Sequence, residues 1–155
     1  MKKLLPVILV ILVVACGKDD PKPSTTEMLT APTSGWLQTS ILVTIPGSTS
    51  TVDVFNDPKY ASSFPACDKD NAMLFKVDGK YSVENNTKCD TTEPAQLETG
   101  TWKLSADEKS ITFTPSGDTA YTATILSISE TELKAELTLD FGTTPIKATV
   151  TMKPK

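Results

Sequence analysis

The side chains with the most chemistry to offer are three cysteines, Cys16, Cys67 and Cys89, and two small groups of acids, Asp68-Lys69-Asp70-Asn71 and Glu130 with Glu132. None of them falls into a catalytic pattern. The chain has no histidine, which removes any Ser-His-Asp or Cys-His arrangement and any imidazole metal ligand. Arginine is absent as well, so there is no bidentate fork for a phosphate or a carboxylate. Cys67 and Cys89 lack the C-x-x-C spacing of a redox pair. Asp68 to Asn71 gather oxygen atoms, but the glycine and the glutamate that an EF-hand needs at its sixth and twelfth positions are missing. That stretch reads as a solvated acidic turn, and no metal site is expected. Glu130 and Glu132 fall on a predicted hairpin tip, where solvent keeps both ionised and no general acid is poised. With no nucleophile, base and orienting group together, the sequence predicts neither an enzyme nor a cofactor.

Cys16 has a different setting. Met1-Lys2-Lys3 supplies a positive start and Leu4 to Ala15 is almost wholly aliphatic, yet the run is shorter than the roughly 20 residues that span a bilayer. Residues 1–15 therefore read as a signal peptide. Val13-Val14-Ala15-Cys16 resembles a bacterial lipobox, in which the cysteine is acylated on its thiol and becomes the new N-terminus. The partner this implies is a membrane, reached through acyl chains on Cys16 and not through a spanning helix. Gly17 stands where a retention aspartate would hold a lipoprotein in the inner membrane of many enteric bacteria. Lys18-Asp19-Asp20 resembles the export signal of surface lipoproteins in Bacteroidota. The expected location is the outer membrane, on the cell surface, with its periplasmic face as the alternative. Once Cys16 is acylated two thiols remain, and in an exported protein such a pair is expected to form a Cys67–Cys89 disulfide.

The formal charge of the whole chain is −4, and loss of residues 1–15 removes two lysines and leaves −6. Nucleic-acid binding rests on clustered basic side chains that neutralise phosphates, so this balance argues against a nucleic-acid partner. From Gly17 to Thr33 the chain is rich in Pro, Thr, Ser and charge, with few apolar groups to offset the entropy of ordering. Residues 16–33 are expected to be a lipidated flexible tether, in which Glu27, Met28 and Leu29 offer at most a brief docking turn. Residues 34–155 have the size of one domain with one core.

That domain reads as β throughout. Leu133 to Phe141 alternates apolar and polar residues without a break, and Ile146 to Lys153 does the same, with Gly142-Thr143-Thr144 as the hairpin connection. Met73 to Val77 and Lys80 to Val83 flank Asp78-Gly79, the strongest short hairpin signal. Thr101 to Leu104 and Ser110 to Thr114 flank a second turn, and another strand runs from about Ala120 to Ile128. With Ser34 to Ile45 as the first, about eight antiparallel strands follow one another through short turns. An up-and-down barrel closes such a series economically and removes its edges, whereas a two-sheet sandwich needs long crossovers. The one long connection runs from Pro46 to Asn71. Within it, Asp57 to Pro65 has a capping aspartate and a proline at the first helical position, which predicts a short helix placed as a lid over one mouth. Thr51 to Phe55 is a candidate short extra strand.

Gly35-Trp36, the run Pro65-Ala66-Cys67-Asp68-Lys69-Asp70-Asn71 leading to Phe75 and Asp78-Gly79, Thr87-Lys88-Cys89, and Gly100-Thr101-Trp102-Lys103-Leu104-Ser105 resemble the lipocalin-like lipoproteins of Bacteroidota. The resemblance covers nearly the whole chain after the tether. It implies an all-β, eight-stranded, up-and-down lipocalin-like barrel and brings no catalytic residue with it. Function then turns on the barrel interior. Trp36, Phe75, Tyr81, Trp102, Leu104, Phe113, Leu137 and Val150 are the candidate ligand-binding residues, for a small apolar ligand held under the lid. The alternative is a filled barrel that acts as a protein-interaction, inhibitor or surface-complex module, for which the sequence names no partner.

Overall fold

The computed structural model describes residues 22–44, 50–141 and 144–155. The expected signal peptide, Cys16, Pro46 and the hairpin tip at Gly142-Thr143 lie outside the described residues. The elements in chain order are α1 (Thr25–Thr30), β1 (Trp36–Thr44), β2 (Thr51–Asp53), β3 (Ala72–Phe75), β4 (Lys80–Glu84), β5 (Gln96–Leu104), β6 (Ser110–Pro115), β7 (Tyr121–Ile128), β8 (Leu133–Phe141) and β9 (Thr144–Pro154).

Period-two alternation gives each strand one apolar face, and eight such faces are buried together by closing the sheet on itself. From β3 to β9 every strand pairs antiparallel with the next, and β1 pairs with both β3 and β9 to complete the ring. The register puts Trp102 across from Phe113, Ile111 from Ala123, Leu133 from Met152 and Ile41 from Val150, all on the inner wall. Two irregularities keep this wall continuous. One on β1 between Gln38 and Ser40 lets Trp36 and Gln38 share a face with Ile41 and Val43, and one on β7 between Ile125 and Ser127 does the same for Ile125 and Ile128. The expected barrel is therefore the observed fold, with β2 as an added short strand on the edge of β1.

One end is sealed by the segment expected to be the far part of a loose tether. Ser24 and Glu27 form a capping box: Ser24 Oγ accepts from the Glu27 N–H, and the Ser24 N–H donates to Glu27 Oε2 at 2.7 Å. Six residues make a marginal helix in water, so tertiary packing must hold it. Met28 and Leu29 supply that packing, Leu29 being 0% exposed, and Trp36 Nε1 donates to the Leu29 carbonyl at 2.9 Å. Full burial of a leucine side chain stabilises by about 1.5–3 kcal/mol. The brief docking turn thus forms, and residues 25–33 belong to the folded unit. Gly35 enters β1 at φ +85°, and a Cβ there would stand 2.9 Å from the Met73 carbonyl oxygen.

At the other end, the long connection folds inward. The helix expected over Asp57 to Pro65 is reduced to a single 3₁₀ turn at Pro58–Tyr60, with Asp57 Oδ1 accepting from the Lys59 N–H at 2.9 Å. It stops there because Phe64 turns back onto Phe55, their rings edge to face at 5.4 Å, over Ile41, Val43 and Ala148. Asp53 fixes the start of this plug by accepting from the Ile41 and Phe55 N–H groups, each at 3.2 Å. Burial opposes ionisation of Asp53, but hydrogen bonds from Asn56, Ser40, Ile41 and Phe55 outweigh it and hold its pKa below the usual value. The Cys67–Cys89 disulfide is present, with Cα atoms 5.3 Å apart, and ties the connection to the segment after β4.

Candidate functional site

Between the two packed ends lies a cavity of about 160 Å³. Its floor and walls come from opposite sides of the ring: Met73 and Phe75 of β3, Ile111 and Phe113 of β6, Leu137 of β8, and Val150 and Met152 of β9. The space exists because Ala123 on β7 and Ala135 on β8 stand where larger side chains would meet in the middle. Gln38 is the polar side chain on its wall, and Tyr121 closes it toward the far end.

Four of the expected ligand-binding residues, Phe75, Phe113, Leu137 and Val150, line this cavity. The other four pack around it and not into it. Trp36 is fully buried in the base, held by its bond to Leu29. Trp102 donates its indole N–H to the Lys76 carbonyl at 3.2 Å, and its ring meets Phe75 edge to face at 5.5 Å. Leu104 packs at the margin of the same core, and the Tyr81 ring lies edge to face with Phe113 at 5.2 Å. Both indoles and the phenol thus find hydrogen-bond partners inside the wall, as buried aromatic groups with polar tips must.

A second hollow, of about 170 Å³, shares Gln38, Met73 and Met152 with the cavity and reaches outward past Asp68, Asn71 and Val83. It opens at the seam where β1 leaves β3 after only two residue pairs. The β1 edge beyond is taken up by the long connection: Val54 donates to the Ile41 carbonyl at 3.0 Å and Asn56 Nδ2 to the Thr39 carbonyl at 2.9 Å. Asn71 Oδ1 at this seam is buried and has no hydrogen-bond partner.

Beyond the far end of the cavity, where Tyr121 closes it, Tyr81 Oη donates to Glu98 Oε1. Tyr121 stacks on Phe113 with ring centroids 5.1 Å apart and is 37% exposed, so it faces both cavity and solvent. Burial, then the bond to Glu98 and nearby negative charge push the Tyr81 phenol well above its usual range. Burial and the Glu98 charge push Tyr121 up to about 12. Gly100 makes room for this cluster: a Cβ there would lie 2.3 Å from the Thr114 carbonyl oxygen and 2.8 Å from the Tyr81 ring. A larger groove of about 460 Å³ crosses β4, β5 and β6 past Lys80, Ser82, Thr101 and Thr114, but it is shallow and open to solvent and encloses nothing.

Gln38, Tyr121, Ala123 and Ala135 were not among the expected site residues. Alternation over Tyr121, Ala123 and Ile125 and along β8 carries the signal for Tyr121, Ala123 and Ala135. Gln38 follows Trp36 by two residues and shares its face, but a polar side chain gives no apolar signal, and the β1 irregularity takes it out of step in sequence with Ile41 and Val43.

A closed antiparallel barrel with one sealed end, one partly plugged end and an apolar hollow between them defines the class of internal-cavity β-barrels. The family model of the lipocalin-like domain matches residues 43–135, more than half of the chain, and the chain belongs to that family. Such folds typically serve binding rather than catalysis. No curated protein matches the chain.

Proposed function

We propose that this is a lipid-anchored outer-membrane lipoprotein whose barrel holds a small apolar ligand, or the apolar part of a larger one. The central cavity of about 160 Å³ is the observation that carries the reading. An apolar cavity of about 150 Å³ in another protein stays dry and takes up benzene. A ring or short alkyl segment suits this space, whereas a whole drug-sized molecule needs roughly 300–1,000 Å³. The anchor is supported by the apolar run ending at Cys16 and by the resemblance to Bacteroidota lipoproteins, and surface display by Lys18-Asp19-Asp20.

Native mass spectrometry of the protein extracted mildly from its host membranes tests this reading. The expected mass contains the chain from Cys16 onward, acyl chains, one disulfide and a stoichiometric apolar adduct. A mass without the adduct overturns the carrier reading in favour of a filled barrel that acts through a protein partner. A Cys16 without acyl chains overturns the anchor. Protease treatment of intact cells then separates surface display from the periplasmic face.

A further inference from the structure

We propose that the ligand carries a basic amine, and that Glu98 at the far end of the cavity receives it while the apolar part lies against Phe113 and Tyr121. This inference rests on the carrier reading above and adds the head group. Glu98 lies on the inner wall, two residues from Gly100, and its carboxylate is held there by the Tyr81 hydroxyl. A carboxylate has about four acceptor sites, and Tyr81 fills one of them. Tyr121 joins this cluster to the cavity: its ring lines the hollow and stacks on Phe113, which also meets the Tyr81 ring.

The charges around the ring support the same choice. Lys80, Lys103, Lys134, Lys147 and Lys153 pair with Thr101, Thr112, Thr151, Thr138 and Leu37 at outward register positions, so among the described residues no strand lysine stands with Glu98 on the inner wall. Lys69, which lies near this end, sits over the Phe55 ring at 4.9 Å on the plug across the barrel. A fatty-acid carboxylate entering here would meet a like charge. An ammonium group would meet a carboxylate beside the partly exposed Tyr121 ring, and both attract cations.

The test compares hexylamine, 1-hexanol and hexanoate, three probes with the same apolar chain, for binding to the full chain at neutral pH by calorimetry. Hexylamine is expected to bind about tenfold more tightly than 1-hexanol, the size of one charge-assisted hydrogen bond, with hexanoate weakest. Glu98→Gln, which keeps an acceptor for Tyr81, should bring the amine-to-alcohol ratio close to one. Ala123→Leu, which fills the hollow, should abolish binding of all three. Equal affinities in the unmodified protein, or hexanoate binding as well as hexylamine, overturn the head-group inference while leaving the carrier reading in place. Failure of all three to bind overturns both. The unmodified series decides the matter even where a variant folds poorly.

Discussion

At the base of the barrel, Trp36 and Leu29 are both 0% exposed, and the one indole donor is spent on the carbonyl of its neighbour. At the far end only half the opening is filled in this way, by Phe55 and Phe64 over β1, β8 and β9. The other half, over β4 to β7, keeps Glu98, Tyr81 and the partly exposed Tyr121. One end is built to hold the fold, and the other keeps unused hydrogen-bonding capacity beside an apolar hollow. A barrel that binds needs this asymmetry, because two sealed ends admit nothing and two open ends leave too little core.

The sharpest break of the comparison is at the base. Trp36→Ala removes the largest fully buried side chain and frees α1, and should lower stability by about 3–5 kcal/mol in urea unfolding. A loss under about 1 kcal/mol would show that α1 and Trp36 do not form the seal. At the far end, Cys67→Ser with Cys89→Ser opens a bridge across 22 residues of chain. On the chain-entropy account this lowers stability by about 3 kcal/mol, and protection in hydrogen exchange should fall in the connection before it falls in α1. Equal loss of protection at both ends would mean that they unfold as one unit.

Gly100→Ala should destabilise by about 1–3 kcal/mol, since a Cβ meets backbone on one side and the Tyr81 ring on the other. It should also shift the near-ultraviolet tyrosine signal, and an unchanged spectrum would show that the ring gives way freely. The smallest effect concerns pH. Tyr121 has a folded pKa raised from 10.0 to about 12, so its contribution is complete below pH 10 and is lost as pH rises toward 12. Tyr81 shifts in the same direction. Urea midpoints of the unmodified protein should therefore fall across that window, and Tyr121→Phe should make the fall shallower. Identical profiles would remove Tyr121 from the polar end.

Much of this molecule is legible before folding is considered. Strict alternation over Leu133 to Phe141 and the Asp78-Gly79 turn fix strands and hairpins locally, because side-chain direction along a strand has a period of two. Phe75, Phe113, Leu137 and Val150 follow from the same rule, and the Cys67–Cys89 bridge follows from thiol arithmetic. What the chain alone could not reveal is how much space inward side chains leave. Trp36, Tyr81, Trp102 and Leu104 point inward as well, yet they fill the wall, and the hollow is set by the small side chains of Ala123 and Ala135 on the adjacent strands β7 and β8. Nor does local sequence place Leu29 in the core or bring Gln38 onto one wall with Ile41 and Val43. A six-residue helix gains its stability only from the Trp36 indole and the core beneath it. That Ile41 and Val43 face the same way as Trp36 and Gln38 depends on one irregular residue in the β1–β9 pairing. The sequence by itself determined the strands, the turns and the apolar faces, since these are local properties of the backbone. Only the tertiary structure decided which end is sealed, where the hollow lies and that Glu98 meets the Tyr81 hydroxyl, because those depend on contacts between residues far apart in the chain.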